Sequence, residues 1–355
     1  MRVIMAGGGT GGHLFPGLAV AQEFRRRDAM TEILFVGTEL GIESRAVPRA
    51  RFPLETIPIR GMKGRRMRGL IEALYGIPVS FWRSLEIIRR FRPDCIVGLG
   101  GYASGPLLIA GKAKGIRCAI MEQNLRPGLT NRILGWMVER VFTAYPESAS
   151  YFFRARVVET GNPVRWQTLP GIRRDEKFTL LIFGGSAGAH KINLCVIEAL
   201  ARLKDLAAGL RIIHQTGEAD WDSVKNAYAA LPFDAELLPF IDKMDEAYAR
   251  ADLVVCRAGA TTIAELTAFG KPAILVPYPY AANDHQRWNA EALRERGAAE
   301  MILDRELDGE RLAARVRAFY LDRKRLEAMG EAARRLGNPD AAKRIVDECL
   351  ALVGR

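Results

Sequence analysis

The stretch "GGGTGGHLFPG", residues 7–17, follows the short apolar run RVIMA and sets Gly7, Gly8, Gly9, Gly11 and Gly12 around Thr10. A strand that ends in a glycine-rich turn and feeds a helix leaves backbone N–H groups at the positive end of a helix dipole. A phosphate or sugar oxygen can approach such groups closely. The same glycines also serve a plain tight turn, and one loop alone does not choose between the two readings. Working outward, RVIMA, EILFVG, DCIVGLG and RCAIME read as buried strands, each followed by a helix-length segment. The alternation restarts at Phe178 with FTLLIF, LRIIHQ, AELLPF, DLVVC and PAILVP, and its first strand again leads into a glycine loop, "GGSAGAHKIN", at 184–193. The expected fold class is α/β, with two parallel sheets each covered by helices.

Between the two halves, "VVETGNPVRWQTLPGIRRDEK" (157–177) combines prolines, glycines and a charged end, and reads as a hinge. The expected domains are therefore 1–164 and 165–337. The tail 338–355 opens with Asn338-Pro339-Asp340 and continues as a helix able to pack on either domain. A chain of 355 residues suits two cores better than one. With 49% hydrophobic and 26% charged residues, the composition excludes a disordered or fibrous chain.

The cysteines, at 95, 118, 195, 256 and 349, are scattered and form no Cys-x-x-Cys pair, which suits a reducing compartment. No signal-peptide core is visible at the amino terminus. The longest uncharged stretch, Cys95 to Gly111, is broken by glycines and Pro106 and is too short to span a bilayer. The net charge of +11 is concentrated: residues 60–92 hold nine Lys or Arg against Glu72 and Glu86, interleaved with Leu70, Ile71, Leu74, Tyr75, Ile77, Phe81 and Trp82. Such a segment is either an ordinary amphipathic helix with a solvated face or a surface that meets anionic headgroups. No nucleic-acid motif accompanies the charge, so nucleic acid is not an expected partner.

A third anion candidate is "CRAGATTIAEL", 256–266, which follows the strand DLVVC and opens a helix near Gly259. The amides of Ala260, Thr261 and Thr262 would face an anion with Arg257 beside them. Glu265, one turn on, could accept both hydroxyls of a ribose. A dinucleotide oxidoreductase fits less well, because EILFVGTELG lacks an acid at the end of the second strand and His13 follows the glycines directly. His13 is either a first-turn residue or a general base. Asp220-Trp221-Asp222 resembles a metal-binding Asp-x-Asp but opens an amphipathic stretch, where acids suit the helix dipole. The four histidines show no ligand spacing, so no metal and no other cofactor are expected.

Taken together, GGGTGGHLFPGLA (7–19), GLGGYASGP (98–106), EQNLRPGLTN (122–131), TGNPVR (160–165), GGSAGA (184–189), FID (240–242), CRAGATTIAEL (256–266) and DHQRWNA (284–290) make the chain resemble, nearly end to end, the family 28 glycosyltransferases of the GT-B fold. In particular it resembles those that complete the lipid-linked disaccharide of peptidoglycan. The resemblance implies two Rossmann-like domains facing across a cleft, the second holding UDP-N-acetylglucosamine and the first receiving a lipid-linked muramyl-peptide acceptor. By that carry-over, the Ile241 backbone reads uracil and Glu265 holds the ribose. Ser186 and the amides of Ala260, Thr261, Thr262, Ile263 and Ala264 hold the diphosphate, and Gln286 and Asn124 address the donor sugar. Thr10, Gly11, Gly12 and Arg165 complete the donor site, while His13, Tyr102 and Glu122 lie on the acceptor side. Ala187 stands where the family has glutamine, and PYPYAAND carries an extra residue ahead of Gln286.

The chemistry implied is a single in-line, inverting displacement at an anomeric carbon. Helix amides and Arg257 would stabilise the departing diphosphate. His13 is the first choice of base and Glu122 the second. An acceptor that lives in a bilayer favours the membrane reading of residues 60–92, with peripheral binding at the cytoplasmic face. The competing enzyme is another GT-B-like protein using UDP-N-acetylglucosamine, an epimerase or a soluble transferase.

Overall fold

In the computed structural model of the chain, residues 1–39, 41–58, 68–153, 155–166 and 176–354 are described, with the backbone alone at 68–75 and 77. The chain divides into two compact units, Met1–Gln167 with Asn338–Arg355, and Thr168–Gly337. In the first unit the strands are β1 (Arg2–Gly7), β2 (Glu32–Gly37), β3 (Leu54–Thr56), β4 (Cys95–Gly100), β5 (Arg117–Glu122), β6 (Arg140–Thr143) and β7 (Arg156–Glu159). Its helices are α1 (Gly11–Arg27), α2 (Glu43–Arg49), α3 (Arg68–Phe91), α4 (Ser104–Ala113) and α5 (Leu129–Leu134). The second unit contains β8 (Phe178–Phe183), β9 (Leu210–Gln215), β10 (Asp234–Leu238), β11 (Leu253–Cys256), β12 (Ala273–Leu275) and β13 (Glu300–Met301). Its helices are α6 (His190–Ala201), α7 (Trp221–Tyr228), α8 (Met244–Arg250), α9 (Ala260–Phe269), α10 (His285–Glu295), α11 (Gly309–Leu321) and α12 (Arg323–Leu336). The tail forms α13 (Ala341–Leu352).

Every described strand pairing is parallel. The first sheet runs β3-β2-β1-β4-β5-β6-β7 and the second β10-β9-β8-β11-β12-β13, so each is doubly wound from its own first strand. In such a sheet the helices leave opposite faces on either side of the first strand, and the crevice at the carboxyl ends there is the natural ligand position. Both glycine loops named above follow these first strands.

The period of two along β1 sorts its side chains between faces. Val3 and Met5 join Leu14, Leu18 and Phe24 in one core, while Ile4 and Ala6 join Ile87, Ile96 and Leu107 in the other. The first of these cores also takes Ile345, Val346 and Cys349 from α13, which packs along α1. At the rim of that contact Arg27 Nη1 pairs with the Asp347 carboxylate and its Nη2 donates to the Lys343 carbonyl.

One expectation needs correction, and another lies largely outside the described residues. The stretch from Val157 does not begin as a hinge: Val157, Val158 and Glu159 pair in register with Val141, Phe142 and Thr143, making β7 the sheet edge. Many of the residues proposed to meet a membrane lie outside the description, namely 60–67 and the side chains of 68–75 and 77. Of the remainder, Trp82 and Val79 are exposed, Phe81 packs against the core, and Arg83 is paired with Glu86 at 2.5 Å. Among the described residues no helix is long and apolar enough to cross a membrane.

Ile345 is fully buried. Replacing it with Ala should cost the first unit about 2–5 kcal/mol, seen as an earlier urea transition for that unit while the transition of the second stays in place.

Candidate active site

In the first unit, the loops after β1 and β4 interlock at the carboxyl edge of the sheet. A Cβ on Gly7, whose φ is +126°, would stand 2.1 Å from the Gly100 carbonyl oxygen, and one on Gly101 (φ +81°) would stand 2.5 Å from the Gly8 oxygen. Only bare backbone allows this approach, and the Gly8 N–H donates to the Gly100 oxygen at 3.2 Å across it. The His13 ring lies against Gly100, within 3.1 Å of an ideal Cβ at its Nε2. Thr10, the residue before α1, sets its Oγ1 3.3 Å from His13 Nδ1. In the tautomer that donates Nδ1–H to Thr10, the ring lone pair lies on Nε2. Tyr102 is 45% exposed in the neighbouring turn. Arg165 stacks its guanidinium 4.8 Å over the Phe15 ring of α1 and 4.9 Å over Trp166.

Glu122 ends β5. Its side chain is 3% exposed. Oε1 accepts from the Asn124 amide nitrogen at 3.0 Å and from its Nδ2 at 3.2 Å, and Oε2 accepts from the Gly128 N–H at 3.2 Å and Asn131 Nδ2 at 2.9 Å. Burial pushes the carboxyl above its ordinary range, with the Asn124, Asn131 and Gly128 hydrogen bonds opposing the shift. A carboxylate held in this way braces the loop 122–131. Asn124 is itself turned onto Glu122, so one sequence-assigned residue holds the other.

The second unit repeats the geometry around β8. Gly188 (φ +78°) would place a Cβ 2.1 Å from the Thr216 oxygen, again a fit only glycine makes. The loop that carries the exposed Ser186 is held by its carbonyl: Gln215 Nε2 donates to the Gly185 oxygen at 2.7 Å. Behind it runs a chain of hydrogen bonds. His214 Nδ1 meets the Tyr228 hydroxyl at 2.9 Å, and its Nε2 meets Asn193 Oδ1 at 3.1 Å. Asn193 Nδ2 donates to Asp220 Oδ2 at 2.7 Å, and His190 Nδ1 lies 2.9 Å from Asp220 Oδ1. Burial lowers His214 to about 3, so it stays neutral. Asp220 is thereby a brace at the start of α7 rather than half of a metal site, and among the described residues no cluster could hold a metal.

On the other side of β8, α9 begins at Gly259 with no side-chain cap, bringing Ala260, Thr261, Thr262, Ile263 and Ala264 into its first turn. Glu265 follows, 3% exposed, its Oε2 accepting from the Tyr248 hydroxyl at 3.1 Å. Ile241 is buried just after β10. Gln286, in the first turn of α10, accepts the Tyr278 N–H on Oε1 at 3.0 Å.

Arg257 is held by an acid and two carbonyls. Its Nη1 is 2.5 Å from Asp304 Oδ1 and donates to the Val276 and Pro277 carbonyls at 3.3 and 3.2 Å. Its charge is already matched by an acid, and its contacts hold the segment that leads to Tyr278 and Gln286. Sequence reading missed Asp304, Tyr248 and Gln215. None stands in a motif, and only the fold brings them to the loops.

Residues 3–143 match the glycosyltransferase family 28 N-terminal domain and residues 179–345 match the family's C-terminal domain. The chain belongs to glycosyltransferase family 28. Within the family it is 49% identical, over 99% of its length and 93% of the relative's, to the UDP-N-acetylglucosamine--N-acetylmuramyl-(pentapeptide) pyrophosphoryl-undecaprenol N-acetylglucosamine transferase of Myxococcus xanthus. It is 50% identical to the enzyme of the same name from Geobacter sulfurreducens, over 99% and 98% of the two chains. Among solved structures it is similar to Acinetobacter baumannii MurG, with a TM-score of 0.81 and 32% identity over 99% of each chain. The UDP-GlcNAc 2-epimerase of Neisseria meningitidis reaches a TM-score of 0.71 at 13% identity, a likeness of GT-B fold alone. The epimerase alternative rests on nothing further, and a family 28 hexosyltransferase is what the chain is.

The raised Glu122 pKa has a testable sign. Its folded value exceeds its unfolded one, so the stabilisation it brings is fully present below the ordinary carboxylate range and is lost as pH rises through the folded value. Glu122→Gln cannot titrate. The stability advantage of the parent over this variant should therefore shrink from acid toward neutral pH in urea titrations.

Proposed function

We infer that the chain transfers N-acetylglucosamine from UDP-N-acetylglucosamine to the C4 hydroxyl of the muramyl sugar of undecaprenyl-pyrophosphoryl-N-acetylmuramyl-pentapeptide. The product is the lipid-linked disaccharide used for peptidoglycan synthesis. The observation that carries this reading is the 49–50% identity, over 99% of the chain, to relatives named for that transfer.

The second unit binds the donor. The Ile241 backbone reads the base, Glu265 takes the ribose hydroxyls, and Ser186 with the first-turn amides of α9 holds the diphosphate. As the bond to the anomeric carbon breaks, charge grows on the β-phosphate where those amides converge, stabilising the transition state more than the bound donor. Gln286 addresses the sugar, its side chain fixed by the Tyr278 N–H, and Arg257 acts through the segment it holds. Asn124, Thr10, Gly11, Gly12 and Arg165 contribute to the donor from the first unit. That unit also receives the acceptor, beside Tyr102, and His13 Nε2 accepts the proton of the attacking hydroxyl. Displacement in one step inverts the anomeric centre, and no metal has a part in it.

The acceptor's polyprenyl chain requires the enzyme to work at a membrane surface, and the basic, apolar segment 60–92 suits peripheral docking on anionic lipid at the cytoplasmic face. Exposed Trp82 and Val79 at the described end of α3 support this reading.

Transfer of labelled N-acetylglucosamine to the lipid-linked muramyl peptide tests the reaction, and a chain inactive with that pair but active as an epimerase would overturn it. His13→Ala should lower kcat by about 10²-fold while UDP binding persists. Glu265→Ala should weaken UDP binding by about tenfold or more, measured calorimetrically. Cosedimentation with vesicles should need anionic lipid and fade with salt, and binding indifferent to both would exclude the docking surface.

A further inference from the structure

Glu43, the first residue of α2, is a fully buried acid that no step above uses. Its Oε2 accepts the Gly9 N–H at 2.7 Å, and its Oε1 accepts the Thr38 N–H and the Thr38 hydroxyl, each at 2.8 Å. Bare backbone walls it in: a Cβ on Gly41 would stand 2.1 Å from Oε2, and one on Gly8 2.7 Å from it. The loops after β1 and β2 are thus built around one carboxylate.

The two glycine loops are braced with opposite polarity. The second is held by its Gly185 carbonyl through a neutral amide donor, whereas the first gives its Gly9 N–H to an anion that belongs to the protein. Burying a carboxylate is costly unless directed donors meet it, and a neutral side chain would brace a turn at less cost. What the carboxylate adds is a strong, directional hold on the residue just before Thr10. Thr10 contacts His13, whose ring is seated on Gly100.

We propose that Glu43 is a positioning residue of the transfer reaction, its carboxylate fixing the Gly7–Gly12 loop through the Gly9 amide and thereby setting where Thr10 and His13 stand. It works through His13 and touches no substrate. The kinetic part rests on the transferase reading, so the test also carries a readout independent of turnover.

Four histidines, at 13, 190, 214 and 285, make the imidazole nitrogen spectrum of the full chain sparse, and three of them belong to the second unit. In Glu43→Gln the His13 signal should move at fixed pH while the other three keep their positions. Turnover should fall by about tenfold to a hundredfold, with UDP affinity, which the second unit provides, within about twofold of the parent. Thr38→Val, which removes one donor to the carboxylate, should do the same in smaller measure and add little to Glu43→Gln in the double variant. An unmoved His13 signal, unchanged kcat, or a parallel loss of UDP affinity in a folded Glu43→Gln chain overturns the proposal. Should Glu43→Gln fail to fold, Thr38→Val decides by the same criteria. If the parent itself transfers no sugar, the functional reading fails, and the His13 signal alone then judges Glu43.

Discussion

Everything at the carboxyl edges of the two sheets depends on how closely one stretch of main chain can approach another. Where Gly7 meets Gly100 and Gly188 meets Thr216, a single β-carbon would lie about 2.1 Å from a carbonyl oxygen, well inside contact distance. Such approaches let the loop after the first strand of a doubly wound sheet nest against its neighbour. The helix that follows then begins at the switch point instead of being held off from it. Thr10, His13 and Ser186 owe their positions to this nesting. The glycines are therefore required first for interlocking backbone, and their service to a ligand follows from where that interlocking leaves the helix starts.

The two halves share this frame and differ in what fills it. In the second, the glycine loop is held by a carbonyl and α9 starts without a side-chain cap. In the first, a buried carboxylate takes a loop amide, and a histidine seats itself against the neighbouring glycine. One architecture used twice thus carries bracing bonds of opposite polarity at its two glycine loops.

The hydrogen-bond chain from Tyr228 through His214, Asn193 and Asp220 to His190 shows how a site is kept rigid from behind. Each member satisfies its neighbour, which is what allows so many polar groups to sit in or beside an apolar core without cost to the fold. Arg257 with Asp304 and Glu122 with its amides play the same part elsewhere.

Which features were legible follows from the range over which their causes act. Alternating apolar runs and glycine turns are local, so the principal strands, the repeat of the βα pattern and the loops after β1 and β8 could be read directly. β3 and β13, three and two residues long, are too short to show a period, and β7 was hidden by the proline-rich stretch that follows it. The sequence by itself determined the α/β class, the two parallel sheets and the helix starts at Gly11 and Ala260, because these rest on residue spacing and bare backbone. Only the tertiary structure decided that α13 joins the first unit, that Glu122 is sealed, that Arg257 is spent on Asp304 and that Glu43 grips Gly9. Those partners stand 9, 47 and 34 residues apart for Glu122–Asn131, Arg257–Asp304 and Gly9–Glu43. A side chain's charge and reach do not reveal which distant group the folded chain will set beside it.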